Sequence, residues 1–314
     1  MADARHVGAG ASATPLGALA PHAPDNWNPK KEAQFRALSS LPGYLRELEE
    51  ETGIATGYVR CGRLIPLTTA NQRAAWERRI ADALENWRGE ASLRMTADAD
   101  PAWLSPEAAR FGVMLCGLSA RIDARAYLAA LAASLGDPVL TGMRMEKLEP
   151  GRAIFANGER IDARCVVLAT GADAFRHLPP GTTGEPAGRG EKGQAAIVEA
   201  GGDVGERPAI FHDGTWIVPR GGRQVAIGAT SERDYADAGA TDTLLDERIA
   251  RAESLCPFLS GAVVLERWAA ARPRSADRGL LIGPHPALAG VSVATGGFKT
   301  GLAMAHTLEP RMLT

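Results

Sequence analysis

The sequence has little of several features that would assign it to other classes of protein. Its four cysteines lie far apart and form no C-x-x-C pair, so neither a zinc motif nor a disulfide framework is indicated. No apolar run reaches the ~18 to 20 uncharged residues of a membrane-spanning helix. The 35 basic and 37 acidic residues nearly balance, which gives no sign of a polyanion-binding surface. We therefore expect a soluble, cytoplasmic protein with no metal and no nucleic-acid partner.

Local signatures of hydrolysis and of nucleotide binding are also missing. The histidines show no metal-like spacing, and no Ser-His-Asp or Cys-His arrangement can be assembled from them. A P-loop is excluded because Phe298 stands where that motif needs a glycine before Lys299. Gly8 and Gly10 lack the preceding strand and the third glycine of a dinucleotide fingerprint. The function must therefore be sought in other patterns.

Helix signals dominate the first third of the chain. Asn28 before Pro29 predicts the start of one short helix, and Pro42 predicts the start of a second that stops at Gly53. Thr69 is expected to cap a third helix with an apolar stripe. The stripe consists of Trp76, Ile80, Leu84 and Trp87, and we expect its two tryptophans in the core.

Strand signals dominate the remainder. Asn157-Gly158 predicts a tight hairpin, and the apolar run CVVLATGA predicts a strand buried on both faces. Three runs between residues 194 and 230, joined by glycine-rich turns, predict an antiparallel sheet covered by a helix from Thr243. The three runs are QAAIVEA, AIFHDGTWIVPR and QVAIGAT. Parallel-type strands therefore flank an antiparallel block, which favours two domains interleaved in sequence.

Two places have residues suited to binding chemistry. A strand, the turn Gly296-Gly297 and a helix close the sequence, and such a turn presents N–H groups to an anion or an electron-rich ring. A turn that only packs strand on helix is the alternative. Arg272 before Pro273 could bind a carboxylate through two parallel hydrogen bonds, and an ordinary surface arginine is the alternative.

Taken together, seven segments resemble the D-amino-acid oxidase and glycine oxidase family of FAD-dependent oxidoreductases. In order they are GASATPLGALAP, TGYVRCGRLIPL, RIDARAYLAAL, ERIDARCVVLATGA, TWIVPRGGRQVAIGATSE, RWAAARPRSADRGLLIGP and VATGGFKTGLAMA. They extend over essentially the whole chain. The resemblance implies a mixed α/β and α+β fold, in which a Rossmann-like FAD domain is interleaved with an antiparallel-sheet substrate domain.

The resemblance also implies a division of the chain. Residues 1–52, 117–182 and 269–314 would form the FAD-binding domain, and residues 53–116 and 183–268 the substrate domain. Family members place a βαβ unit with a G-x-G-x-x-G turn before the loop that wraps the flavin. This sequence does not include that unit, so the FAD domain is expected to be incomplete at its amino end. A misplaced gene start, a real loss and a complementing second chain all stay open.

FAD is the implied cofactor, and the resemblance assigns its contacts residue by residue. The opening loop would meet the ribityl chain or ring, the strand of Met145 the adenine, Thr170-Gly171 the pyrophosphate, and the closing turn the flavin N1 and C2 carbonyl. The loop and closing-turn residues are Ser12, Gly17, Ala18, Leu19, Gly297, Phe298, Lys299, Thr300, Gly301 and Leu302.

The implied activity is oxidation of the amine of a small amino acid, of the glycine, sarcosine or D-amino acid type, to an imino acid by hydride transfer to flavin N5. Arg272 falls where the family's arginine holds the substrate carboxylate. Trp216 replaces a tyrosine that helps hold it, and Ser231 replaces a methionine of the pocket, so the substrate stays open. So do the electron acceptor and a homo-oligomeric state. The alternative is a non-catalytic remnant, or a carboxylate-binding module, that no longer binds FAD.

Overall fold

The structure is a computed structural model that describes residues 1–181 and 184–308. The expected domain boundary at 182–183 and the expected end of the FAD domain, 309–314, lie outside the described residues. The α-helices are α1 (Pro29–Thr52), α2 (Ala70–Asn86), α3 (Ala124–Ser134), α4 (Thr243–Leu255) and α5 (Gly301–Met304). The first strands are β1 (Ala18–Leu19), β2 (Arg63–Pro66), β3 (Leu93–Thr96), β4 (Val113–Cys116), β5 (Ala120–Arg121), β6 (Met145–Glu149), β7 (Arg152–Phe155) and β8 (Arg160–Asp162). The later strands are β9 (Val166–Leu168), β10 (Gly188–Glu199), β11 (Ala209–His212), β12 (Thr215–Gly221), β13 (Gln224–Gly228), β14 (Val263–Ser275), β15 (Leu281–Pro284) and β16 (Val291–Thr295).

Helix α1 is one continuous helix, so the prediction of two short helices is wrong. Asn28 caps its start and Gly53 ends it, as expected, but Pro42 lies in its interior. A proline there leaves the carbonyl of Leu38, four residues earlier, without its helical N–H partner. The Nη2 atom of Arg60 donates to that carbonyl at 3.3 Å. A side chain distant in sequence thus supplies the hydrogen bond that the proline removes.

Helix α2 is capped by Thr69, as predicted, but its stripe is only partly in the core. Trp87, just beyond the helix, is 1% exposed, whereas Leu84 is 73% exposed. Trp76 and Ile80 are half-buried and pack against a core to which α1 and several strands contribute. The predicted helix is therefore confirmed, but its buried face does not include Leu84.

The largest sheet has the strand order β14-β10-β13-β12-β11-β2-β4-β3. Its pairs are antiparallel except β11 with β2, which confirms the antiparallel block. The run AIFHDGTWIVPR, expected as one strand-like segment, is a hairpin of β11 and β12, because the chain reverses at Asp213-Gly214 with both residues at positive φ. Helix α4 buries Leu245, Ala252 and Leu255, and Ala252 and Leu255 pack on one face of this sheet.

A smaller sheet, in the order β15-β16-β9, places two parallel strands side by side. Strands β16 and β9 pair in parallel, so their carboxyl ends lie at the same edge. Strand β9 was expected to be buried on both faces, but Val167 is 41% exposed. In the described residues β9 pairs only with β16 and is an edge strand, which explains this exposure.

The remaining sheets complete the chain. Strands β7 and β8 form the hairpin predicted around Asn157-Gly158, and β6 pairs with β7. The two-domain division stays a prediction, and β14 runs unbroken across its 268–269 boundary. Among the residues that the structure describes, no helix combines the length and apolar character needed to cross a membrane.

Candidate active site

One face of the large sheet gathers the predicted substrate residues. Arg272 on β14 pairs with Glu191 on β10, and Trp216 on β12 pairs with Gly228 on β13. Gly228 in turn pairs with Ala195, four residues after Glu191 on β10. Because side chains alternate along a strand, these positions lie on the same face of the sheet. This face is opposite to the one covered by α4.

The guanidinium of Arg272 is held across its neighbouring strand. Its Nη2 donates to the carbonyls of Lys192, at 3.0 Å, and Thr230, at 2.7 Å. The group lies over Gly193, where a Cβ atom would come within 2.4 Å of the Arg272 Cζ. Burial lowers the pKa of Arg272, while Glu191 raises it, and the group stays protonated at neutral pH. Within the described residues, no carboxylate forms an ion pair with it.

Glu191, beside Arg272, is a buried carboxylate that other residues neutralise. It is 3% exposed, and it accepts hydrogen bonds from Ser231 Oγ and Arg274 Nη1. Burial opposes its ionisation, but these two donors outweigh burial and hold the pKa of Glu191 below its ordinary value. Ser231, predicted to line the pocket, thus orients Glu191 and lies 3.5 Å from Arg272 Nη2.

The closing turn brings an aromatic ring to the same place. Phe298 donates its backbone N–H to the Pro273 carbonyl at 3.0 Å, and its ring centroid lies 5.3 Å from Arg272 Cζ. Arg274 and Lys299 also approach this ring, at 4.8 Å and 5.2 Å. Desolvation and the neighbouring Arg272 lower the pKa of Lys299. Three cationic groups therefore surround the face of Phe298.

Trp216 lies in a second part of the same sheet face. Its ring packs on Phe211, with centroids 4.6 Å apart, and the guanidinium of Arg63 lies 5.4 Å from the Trp216 ring centroid. Trp216, together with Leu16 and Ala18 of the opening loop, packs against a cluster of Ala209, Val218 and Ala226. The loop therefore covers the sheet next to Trp216.

The turn after β16 is built so that its backbone stays close to its neighbours. A Cβ at Gly296 would lie 2.6 Å from the Gly279 carbonyl oxygen, and one at Gly297 would lie 2.9 Å from Gly301 Cα. Thr300 donates its N–H to the Gly297 carbonyl. Within the described residues, the N–H groups of Gly301 and Leu302 have no hydrogen-bond acceptor. The turn thus presents free backbone donors.

The turn after β9 meets the turn after β16. The Thr295 hydroxyl donates to the Gly171 carbonyl at 2.7 Å, which joins Thr170-Gly171 to the start of the glycine turn. The two turns follow the carboxyl ends of two neighbouring parallel strands. In open α/β sheets, ligands bind in the crevice outside these ends.

The opening loop is fixed by one close backbone contact. Gly17 has φ of +54°, and a Cβ there would lie 2.0 Å from the Ile122 carbonyl oxygen. Ala18 and Leu19 then pair with β5, while Ser12 is exposed in a 3₁₀ turn that lies against α3 and β14. A cavity of about 210 Å³ beside this loop is lined by Leu16, Ile122 and Val218, among others.

Met145 is the predicted contact that lies apart from the substrate residues. It begins β6 and packs on a cluster that includes Leu168 of β9 and Val291 of β16. The predicted site residues thus form two groups. Ser231 and Phe298 each lie beside Arg272, whereas Met145, Thr170 and Gly171 lie near the parallel strands.

These features fit FAD. The glycine turn with its free N–H groups would meet the flavin ring, Thr170-Gly171 would lie beside the pyrophosphate, and the opening loop would cover the ring. The fit rests on the two turns that meet beyond the carboxyl ends of the parallel strands β9 and β16.

Sequence reasoning missed four residues of this face: Glu191, Gly193, Arg274 and Arg63. Gly193 carried a signal, because a glycine inside a buried strand often marks a close approach by another group. Arg63 carried another, since it stands within the otherwise apolar strand sequence RLIP. Glu191 and Arg274 acquire their roles only through the pairing of β10 with β14.

Comparison with known proteins identifies relatives that match most of the chain. The chain is 29% identical over 316 residues to the bifunctional protein ThiO/ThiG of Trichormus variabilis, covering 96% of the chain but 46% of that protein. It is 27% identical over 317 residues to the glycine oxidase of Geobacillus kaustophilus, covering 95% of the chain and 81% of the enzyme. The crystal structure of a glycine oxidase from Geobacillus kaustophilus superposes with a TM-score of 0.81 at 24% identity, over all of this chain and 88% of the other.

The family comparison is more general and covers almost the whole sequence. The family model described as FAD dependent oxidoreductase (DAO) matches residues 1–308. The mixed α/β fold agrees with that match. The chain belongs to the DAO family of FAD-dependent oxidoreductases.

Proposed function

We propose that the protein oxidises the amine of a small amino acid, of the glycine, sarcosine or D-amino acid type, to an imino acid. The observation that carries this proposal is the state of Arg272. Its Nε and Nη2 atoms donate to the backbone carbonyls of Glu191, Lys192 and Thr230, while the Glu191 carboxylate is bound by Arg274 and Ser231. Arg272 is thus positioned, and its Nη1, which has no acceptor among the described residues, is available to an external carboxylate.

The residues around Arg272 would also control the amine. When bound, FAD accepts a hydride from the α-carbon. Such oxidation needs the neutral amine, and the positive charges of Arg272, Arg274 and Lys299 disfavour an ammonium ion beside them. The amine proton leaves to solvent, and water then hydrolyses the imino acid. The side chains therefore orient the substrate and set its charge.

Aromatic side chains would complete the pocket. Phe298 lies beneath the guanidinium of Arg272, and Trp216 lies on the same sheet face below the opening loop. Both are half-buried, so they offer apolar surface to a small substrate while excluding water from the reacting carbon. Trp216 has one N–H and no hydroxyl, so its contact with a carboxylate differs from that of a tyrosine.

Anaerobic mixing tests the proposal. The purified protein is supplied with FAD, freed of excess cofactor, and mixed without oxygen with glycine, sarcosine or D-alanine. We expect the visible flavin absorbance to bleach with at least one of them, and the corresponding 2-oxo acid to accumulate once an acceptor is added. Bound flavin that none of these amines reduces would contradict the proposal, and failure to bind FAD would favour the non-catalytic alternative.

A further inference from the structure

The chain after β13 forms a bulge opposite β10. Gly228, the last residue of β13, pairs with Ala195, and the next bridge joins Glu232 to Lys192. Residues 229–231, the bulge, therefore face two residues of β10, which leaves one extra residue on their side. Bulges of this kind re-aim groups of the bulged strand and are frequent next to active sites.

The bulge holds the guanidinium of Arg272. The Thr230 carbonyl accepts a hydrogen bond from Arg272 Nη2 at 2.7 Å, and Ser231 Oγ lies 3.5 Å from the same nitrogen. The Lys192 carbonyl accepts from this nitrogen at 3.0 Å and from the Glu232 N–H, also at 3.0 Å. The position of the bulge therefore sets the position of the guanidinium.

The side chain of Thr230 is fixed by buried polar groups. Thr230 is 4% exposed, and its hydroxyl accepts from the Gln194 N–H at 2.9 Å and donates to the Glu232 carboxylate. The hydroxyl is thus used as donor and as acceptor, which leaves it one orientation. Thr230 therefore links two groups: its hydroxyl is bound to Glu232, and its carbonyl is bound to Arg272.

The groups that hold Glu232 lie on the face of the sheet that α4 covers, opposite to Arg272. Lys192 Nζ lies 3.3 Å from the Glu232 carboxylate and 3.1 Å from that of Asp242, the residue that caps α4. Gln194 Nε2 donates to the same two carboxylates, at 3.0 Å and 2.8 Å. The side chains of Lys192 and Glu232 are only 5% and 11% exposed, so water competes little for these bonds. A satisfied buried network of this kind is rigid.

We infer that Glu232 and Thr230 are positioning residues for the carboxylate site: from the far face of the sheet, Glu232 fixes Thr230, whose carbonyl fixes the Arg272 guanidinium. The inference rests on the part of the proposed function in which Arg272 holds a carboxylate. Neither residue is assigned a contact with the substrate, so the whole of their effect on binding passes through Arg272.

A pair of substitutions at Thr230 tests this link. Thr230→Val keeps the carbonyl and the size of the side chain but removes the hydroxyl, whereas Thr230→Ser keeps the hydroxyl. The probe is methylthioacetate, a non-oxidisable carboxylate with the shape of sarcosine, titrated calorimetrically into the FAD-loaded protein. Its dissociation constant should rise about five- to tenfold in Thr230→Val and stay within about twofold in Thr230→Ser. Unchanged binding in Thr230→Val would overturn the inference.

Glu232→Gln tests the same link without removing the Thr230 hydroxyl, and it serves if Thr230→Val does not fold. The substitution removes the charge that faces Lys192 and one acceptor oxygen, so Glu232 no longer holds Thr230 in one place. The dissociation constant of methylthioacetate should rise at least about threefold. Affinity equal to that of the unchanged protein would contradict a positioning role for Glu232.

Thr215→Val is the matched control for stability. Thr215 lies on β12 of the same sheet, is fully buried, and accepts a hydrogen bond from Arg248 at 3.1 Å. Its loss should lower the melting temperature much as Thr230→Val does, but leave the dissociation constant of methylthioacetate unchanged. Equal weakening of binding in both valine variants would show that a general loss of stability is the cause, and would overturn the inference.

A double-mutant cycle shows whether the effect passes through Arg272. In Arg272→Lys the Thr230 carbonyl has no guanidinium to hold, so adding Thr230→Val should not raise the dissociation constant of the preferred amine further. This constant is measured by anaerobic reduction of the bound flavin. Full additivity of the two substitutions would mean that Thr230 acts by another route, and would contradict the inference.

The two readouts separate this inference from the proposed function. Normal oxidation of an amine, with unchanged affinity in Thr230→Val and Glu232→Gln, would overturn the inference and leave the proposed function intact. If no amine reduced the flavin, the proposed function would fail, and the calorimetric comparison would still decide whether Glu232 and Thr230 position Arg272. Failure of methylthioacetate to bind the unchanged protein would contradict both.

Discussion

Gly193 leaves the space that the guanidinium of Arg272 occupies: a Cβ at Gly193 would lie 2.4 Å from Arg272 Cζ and 2.6 Å from both terminal nitrogens. The two residues lie on paired strands, two residues off direct register, because Arg272 pairs with Glu191 and Gly193 pairs with Ala270. Strand β10 therefore tolerates the arginine only because it has no side chain at this point. The position of the Arg272 side chain therefore depends on residues of both β14 and β10.

Gly193→Ala should displace the guanidinium while keeping the strand. The obstructing atoms are the far end of a flexible side chain, so the fold is expected to survive, with a free energy of unfolding changed by less than about 1 kcal/mol. Substrate KM should rise about tenfold, because the carboxylate loses its aligned donors.

Gly201→Ala is the matched control, since Gly201 follows the same strand, is exposed, and has no atom within 4 Å of an added Cβ. Steady-state kinetics with the preferred amine decide the comparison. Identical KM values for the two alanine variants would mean that the observed position of Arg272 has no role in binding.

Glu191→Gln should lower stability in a manner that depends on pH. The substitution removes the negative charge that faces Arg274, which we expect to cost about 2 kcal/mol at pH 7. The pKa of Glu191 is lowered in the folded protein, so its contribution is present above its ordinary value of 4.5 and is lost as pH falls through the lower folded value.

Urea unfolding between pH 7 and pH 3 measures this effect. The stability difference between the unchanged protein and Glu191→Gln should be constant down to about pH 5 and shrink below the ordinary carboxyl pKa. Glu199→Gln, on the same strand and 42% exposed in its side chain, should show almost no difference at any pH. If the difference in free energy of unfolding between the unchanged protein and Glu191→Gln persisted unchanged at pH 3, an ionised Glu191 could not be its source.

Gly17→Ala should reduce flavin binding. Gly17 has positive φ, and its Cβ would collide with the Ile122 carbonyl, so the opening loop must move. Gly10→Ala is the control in the same loop, because nothing lies within 4 Å of a Cβ there and its φ is −104°. The ratio of flavin to protein absorbance after gel filtration measures retention. Equal flavin content in both variants would exclude the loop from the cofactor site.

The parts of the fold that depend on local chemistry were predictable from the sequence. Caps at Asn28 and Thr69, the Asn157-Gly158 hairpin and the antiparallel block all follow from short-range patterns. The two helices expected around Pro42 follow from the same reasoning and are wrong, because Arg60 supplies a tertiary hydrogen bond that no local pattern contains. Tertiary contacts thus overrule a strong local signal.

The candidate site likewise contains residues that local motifs identify and residues that only tertiary contacts bring into place. Arg272 and the closing turn were identified through resemblance, since their motifs are contiguous in sequence. Glu191 and Gly193 were not, because their roles depend on the register of β10 against β14, some 80 residues away. Ser231 was assigned to the pocket wall, but its hydroxyl also orients Glu191, a partner 40 residues distant. Pairing across a sheet has no signature within a single strand.

We propose that Arg272 holds the carboxylate of an amine that the bound flavin oxidises. Anaerobic stopped-flow reduction of the FAD-loaded protein by the preferred amine, compared with Arg272→Lys, tests it most directly. Lysine keeps the charge but loses the guanidinium that the backbone carbonyls hold in place, so the substrate dissociation constant should rise about 10- to 100-fold while the loaded flavin content stays the same. An unchanged dissociation constant in Arg272→Lys would contradict the claim.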